Sequence, residues 1–177
     1  MNGFTHYGPY LQMMQPGVNK AVVTIRAAQP SDVQPILEMH QRLSTDSLFL
    51  RYLVPYVPVN LPAHVRDICT RPADQGAALV ATVGAQIVGL GYYVINPDQP
   101  DTAEPALIVE DRYQGQGIGG RLFKRLIAAA RAQGVRYFDA LAHSGNRPML
   151  HLLRRSGRAV NSHRDGNETA VLLALAA

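Results

Sequence analysis

Residues 107–122, LIVEDRYQGQGIGGRL, constrain this chain more than any other stretch. An apolar run, Leu107-Ile108-Val109, reads as a strand, and a charged turn, Glu110-Asp111-Arg112, follows it. Gln114-Gly115-Gln116-Gly117-Ile118-Gly119-Gly120 then leads directly into a helical pattern. Four glycines in six residues let the backbone turn tightly and bring its N–H groups against a ligand. The first turn of the following helix adds unpaired N–H donors and a partial positive charge. Strand, glycine turn and helix start together predict an anion site, for phosphate or pyrophosphate. A turn without a ligand is the plainer alternative, but it would carry the conformational cost of so many glycines for no gain.

Three phosphate-binding patterns compete for the segment. A P-loop needs Lys-Ser or Lys-Thr after its last glycine, and neither is present. The dinucleotide pattern G-x-G-x-x-G is met by Gly115, Gly117 and Gly120, and Asp139 stands about twenty residues on. That pattern should follow its strand at once and open its domain. Here a charged turn intervenes, and too little chain remains for a doubly wound sheet. Asp139 also falls inside the strand-like run Val135–Ala142.

The third pattern is Q/R-x-x-G-x-G/A, met by Gln114, Gly117 and Gly119, with Tyr113 just before and a strand ending at Val109. On these residues the chain resembles the GNAT superfamily of N-acetyltransferases, over roughly Val22 to Leu175. The resemblance implies an α/β (α+β) fold: a mixed, mostly antiparallel central sheet with two splayed parallel strands, flanked by helices. It implies acetyl-CoA as the coenzyme A ligand, bound in the cleft between those strands. Leu107, Ile108 and Val109 would pair with the pantetheine arm. Gln114, Gly115, Gln116, Gly117, Ile118, Gly119 and Gly120 would hold the pyrophosphate, with Asn146 and Met149 completing the cofactor site.

Composition agrees with a globular protein. The chain has 177 residues, 17% charged and 47% hydrophobic, with a net charge of +4 and a pI near 9.5. The positive balance suits an anionic ligand, while the lack of a Lys/Arg run or interleaved aromatic stripe argues against nucleic acid. A single cysteine, Cys69, excludes an intramolecular disulfide framework and reads as a small buried residue. No apolar run approaches a membrane span and no signal peptide is apparent, so a cytoplasmic location is expected. No metal site is expected.

The order of elements is read as β-α-α-β-β-β-α-β-α-β. Residues 1–20 form an irregular arm, or a segment exchanged in a homodimer, and 21–177 form a single acetyltransferase domain. Ser31 and Gln34 read as a capping box for a helix whose buried face holds Val33, Ile36, Leu37, His40 and Leu43. Ser44–Val65, with Pro55, Pro58, Pro62, Tyr52 and Tyr56, reads as a short helix and loop overhanging the site. Ala77–Val83 and Ile87–Ile95 form a hairpin, Asn96–Thr102 a loop, and Ala103–Val109 the strand that feeds the glycine turn. A helix over Arg121–Gln133 ends at Gly134, a strand covers Val135–Ala142, a helix starts near Pro148, and Ala170–Leu175 is the last strand.

The candidate base is Glu104, five residues before Val109 at the start of the strand entering the turn. A carboxylate facing the cleft takes a proton directly or through water; a solvated strand-end glutamate is the plainer reading. Pro105 beside it removes a strand N–H. Glu110 and Asp111 read as surface groups on the outer turn. Asn146 is the second candidate, near the thioester, with an N-cap as its plainer role. The resemblance also implies a tyrosine acid seven residues after this asparagine, but Leu153 stands there. Leu43-Ser44-x-x-Ser47-x-x-x-Arg51-Tyr52 resembles a segment of bacterial protein lysine acetyltransferases, which makes Arg51 and Tyr52 candidate acceptor contacts. A protein lysine is therefore the expected acceptor. A small amine or amino acid is the alternative, and a silent acyl-CoA-binding sensor a third possibility.

Overall fold

The computed structural model describes residues 22–54 and 59–175. The expected N-terminal arm and residues 55–58, including Tyr56, lie outside them. Seven strands form one sheet in the order β1-β2-β3-β4-β5-β7-β6. They are β1 (Val23–Ala27), β2 (Gly76–Val83), β3 (Gln86–Asn96), β4 (Gln99–Val109), β5 (Tyr137–His143), β6 (Arg158–Asp165) and β7 (Glu168–Ala174). All neighbours are antiparallel except β4 and β5. This is the mixed α/β sheet expected.

Helices cover both faces. On one lie α1 (Val33–Gln41), α2 (Thr45–Tyr52) and α3 (Leu61–Thr70). Ile36, Met39, Leu48 and Val65 pack there with Val80, Leu90, Tyr92 and Ile108. On the other lie α4 (Ile118–Ala132) and α5 (Arg147–Ser156), whose Phe123, Leu126 and Leu153 meet Tyr93, Phe138 and Leu173. β3 is sandwiched between the layers, which is why Ile87 through Tyr93 read as an unbroken buried run.

Four local readings are corrected. The cap of the first helix is a tight turn at Pro30–Asp32, where Asp32 accepts from the Gln29 backbone N–H at 2.8 Å and pairs with Arg26. Residues from Leu61 onward are helical, with Pro62 in the first turn where its missing N–H costs nothing. β4 starts at Gln99, three residues before the expected loop ends, because the β3–β4 hairpin is tight. β6 lacks any apolar alternation, since all eight of its residues are exposed at the sheet edge.

No helix among the described residues is long and apolar enough to cross a membrane.

Candidate functional site

The parallel pair β4–β5 is joined at only two positions, Thr102↔Tyr137 and Ala103↔Phe138. Beyond them the strands part. From Glu104 to Val109, β4 keeps its β3 partner and has none on the other side. The gap opens a cleft of about 640 Å³ between β4, the glycine turn, α5 and the end of α2.

Alternation along β4 fixes which groups face the gap. The Asp101 carbonyl accepts from Arg136 N–H at 2.7 Å on the β5 side, and the Val109 carbonyl accepts from Gln114 Nε2 at 2.9 Å. The Glu110 N–H instead donates to Val88 of β3. With period two, the backbones of 105, 107 and 109 face the gap while Ile108 pairs toward β3. Pro105 therefore removes a donor from an edge that no strand occupies, so it costs the sheet nothing.

The glycine turn is held open for a ligand. Gly115 and Gly117 have φ of +70° and +79°, left-handed conformations that favour glycine. A Cβ at either position would meet nothing within 4 Å. Among the described residues, nothing accepts a hydrogen bond from the backbone N–H groups of Gly115 through Gly120. Six free donors at a helix start form a cradle that fits a pyrophosphate.

The cleft wall brings together most of the sequence candidates: Arg51, Glu104, Leu107, Ile108, Val109, Gln114, Gly115, Gly117, Ile118, Gly119, Gly120, Asn146 and Met149. Gln116 points its side chain back to the Arg112 carbonyl, 2.9 Å away. Tyr52 lies behind the wall, its hydroxyl 2.7 Å from His40 Nε2. Asn146 caps α5 by accepting from Met149 N–H at 3.1 Å. Leu153 is fully buried in the core, so α5 turns no side chain from that position into the cleft.

Of the two acids of the outer turn, Asp111 is exposed as expected, though held by hydrogen bonds, while Glu110 is buried. Glu110 is 3% exposed, between Arg112 at 2.7 Å, Arg42 at 3.0 Å and Gln86 Nε2 at 3.2 Å. Asp111 accepts from Ser44 N–H at 3.0 Å, Ser44 Oγ at 2.6 Å and Ser47 Oγ at 2.8 Å. Burial raises the Asp111 carboxyl, but these donors outweigh it and hold it below the usual carboxylate range. Gln114 Nε2 also reaches Ser47 Oγ at 3.0 Å. The start of α2 is thus tied to the glycine turn, which explains Ser44 and Ser47 in the sequence pattern. Farther along α2, Phe49 meets His143 of β5 edge-on, with ring centroids 5.2 Å apart. At its end Arg51 donates to the Tyr92 hydroxyl. α2 therefore bridges the mouth of the gap.

Tyr92 and His64 escape a reading of the sequence, and His40 is legible there only as part of a buried helix face. Tyr92 sits in an apolar strand and looks like an ordinary core aromatic. His64 Nε2 lies 2.7 Å from the Tyr92 hydroxyl. Burial lowers both histidines, and Arg51 adds to it. Burial pushes Tyr52 up to about 12, with Arg51 opposing. Burial also raises Tyr92; Arg51 opposes this and the Glu104 charge adds to it.

A sheet opened between two parallel strands, with unpaired N–H groups at a helix start by the open end, has the shape to take a phosphate-bearing ligand along a strand edge. Residues 42–157 match the acetyltransferase (GNAT) family. The chain belongs to that family. It is 35% identical over 105 residues to an L-methionine sulfoximine/L-methionine sulfone acetyltransferase of Pseudomonas aeruginosa, covering 56% of this chain and 60% of that one. It is 28% identical over 135 residues to the acetyltransferase Pat of Mycolicibacterium smegmatis, covering 75% of this chain and 40% of that one. The matched stretch is thus less than two thirds of either relative. Among solved structures, the GNAT domain of S. lividans PAT superposes with a TM-score of 0.75 at 21% identity, over 86% of this chain and 90% of that one. The yncA protein of Salmonella typhimurium, solved with its cofactor acetyl-CoA, gives 0.70 at 22%, over 87% and 94%.

Proposed function

We propose that this protein is an acetyl-CoA-dependent N-acetyltransferase that transfers acetyl directly to a primary amine. The observation that carries the reading is the joining of two features in one cleft: the free N–H cradle of Gly115–Gly120 and an exposed carboxylate, Glu104, on the wall where β4 leaves β5. Gln114 through Gly120 hold the pyrophosphate, and the gap-facing backbone of Leu107 and Val109 meets the pantetheine arm as one more strand edge. Asn146 and Met149 border it from α5. Acetyl-CoA, when bound, supplies an activated acetyl group. Glu104 takes the proton of the incoming amine, directly or through water, as the amine's bond to the acetyl carbon replaces the thioester C–S bond and the coenzyme A thiolate leaves toward solvent. Its open position at the cleft wall leaves it free to do so.

The likeness to Pat and the bridge made by α2 support a protein lysine as acceptor, with Arg51 at the mouth and Tyr52 bracing it from behind. A second reading, a small amino-acid acceptor, is favoured by the Pseudomonas relative, whose name gives an amino-acid derivative as its substrate. A cytoplasmic location and a homodimer belong to the same proposal.

The test is thiol release from acetyl-CoA with a panel of proteins, lysine peptides, amino acids and polyamines. Release that depends on an acceptor supports the enzyme. Tight acetyl-CoA binding with no release on any acceptor favours the sensor.

A further inference from the structure

We infer that the acceptor end of the cleft contains a carboxylate subsite centred on Arg51, so that the amine acetylated there carries a carboxylate close to it. The inference rests on the reading of Glu104 as the base beside which that amine sits.

Arg51 differs from the other partly buried arginines. Among the described residues the other two, Arg26 and Arg71, each hold a carboxylate. Arg51 holds none among the described residues, although Glu104 lines the same cleft. Its one hydrogen bond there goes to the Tyr92 hydroxyl. A guanidinium has five donors, so most of its fork remains available. A half-buried cation without a counter-ion has lost part of its hydration and gained nothing ionic in return. An anion arriving in the cleft supplies that missing partner.

The guanidinium is also held in place. It stacks over Tyr52 and Tyr92, 4.8 Å and 5.4 Å from the ring centroids. Two histidine–tyrosine pairs brace those rings. His40 Nδ1 donates to the Ile36 carbonyl at 2.8 Å, which leaves Nε2 to accept from the Tyr52 hydroxyl. Arg51 donates to the Tyr92 oxygen, so the Tyr92 proton is free to go to His64 Nε2. Burial shifts both histidines down and both tyrosines up, in each case toward the uncharged form. The charge of this cluster then lies on Arg51, and the cleft wall beside it carries the Glu104 carboxylate, with Arg155 of α5 as the other lining guanidinium. A molecule bearing an amine and a carboxylate complements that pair, with its amine at Glu104 and its carboxylate on the Arg51 fork. Tyr92 and His64 are positioning residues for the fork.

The carboxylate has two possible sources: the α-carboxylate of a free amino acid, or an acidic residue beside a target lysine. The test uses the whole protein with saturating acetyl-CoA and follows thiol release. One arm compares the L-amino acids with their carboxamides. The other compares lysine peptides carrying Asp or Asn beside the lysine. The carboxylate member of the active arm should be favoured about 10-fold or more in kcat/KM, and the arm that responds identifies the source. Arg51→Met should abolish that preference and raise the acceptor KM about 10- to 100-fold, with the acetyl-CoA KM unchanged. Tyr92→Phe should raise the acceptor KM about 3- to 10-fold while kcat holds, a split that a general loss of structure would not give. It also keeps the test open should Arg51→Met fail to fold. Equal use of charged and neutral partners, or an unchanged acceptor KM in both variants, overturns the subsite and leaves the transferase standing. No turnover on any acceptor, with acetyl-CoA bound, overturns the transferase and the subsite together.

Discussion

Gly117→Val separates the torsional role of the glycine turn from any packing role. Gly117 sits at φ +79°, ψ +5°, just before α4. A Cβ there meets nothing within 4 Å, so a side chain can leave the backbone without a clash. What it brings is a β-branched residue in the left-handed region, at a cost of roughly 1–3 kcal/mol. The loop can pay that in stability, or it can relax to negative φ and turn its N–H groups out of the cradle. A hydrogen bond to a charged group contributes about 1.5–3 kcal/mol, so each donor lost weakens acetyl-CoA about 10- to 150-fold. Gly134 is the matched control. It has φ +83° and equally open space, but lies past the far end of α4. Gly134→Val should lower the melting temperature comparably and leave acetyl-CoA affinity alone. Calorimetric titration and thermal melting of both variants decide the matter. A folded Gly117→Val protein with wild-type affinity, or equal affinity losses in the two variants, refutes the cradle.

Three further outcomes are expected. Glu104→Gln should keep acetyl-CoA binding and slow the chemical step by about 10²–10⁴, with the loss shrinking at high pH, where the amine is already neutral; near-normal turnover at neutral pH would reduce Glu104 to a solvated carboxylate in the middle of β4. Glu110→Ala should cost roughly 1–3 kcal/mol in denaturant unfolding, because it strips the shared partner from Arg42, Arg112 and Gln86; an unchanged midpoint would mean those contacts contribute nothing net. His40, lowered from 6.5 by burial first, takes up a proton more readily unfolded than folded. Stability should therefore be full above that ordinary value and decline as pH falls through it, and His40→Gln should flatten this part of a melting-temperature profile.

The region around the glycine turn was legible because its signals are local. A strand, a run of glycines and a helix start all express themselves within sixteen consecutive residues, 107–122. The hairpin at Gly84, the stop at Gly134 and the cap at Asn146 are equally short-range, and the structure has each of them. Glu104 could be named from its place five residues before Val109, and Arg51 from a segment that resembles one of the bacterial protein lysine acetyltransferases. That they line one cleft follows from β4 and β5 separating after Ala103 and from α2 crossing the gap, neither of which leaves a periodic mark.

What tertiary structure decided are the partnerships across long sequence separations. Glu110 and Asp111 look like solvated turn residues until α1 delivers Arg42 and the α2 start delivers Ser44, 68 and 67 residues away. Tyr92 looks like core until Arg51 and His64 reach its hydroxyl, from 41 and 28 residues away. β6 carries no strand pattern because an edge with both faces exposed imposes no alternation. A backbone conformation depends on a residue and its near neighbours, so it is written locally. The fate of a polar side chain depends on which distant group the sheet register and helix packing set opposite it, and only the folded chain contains that information.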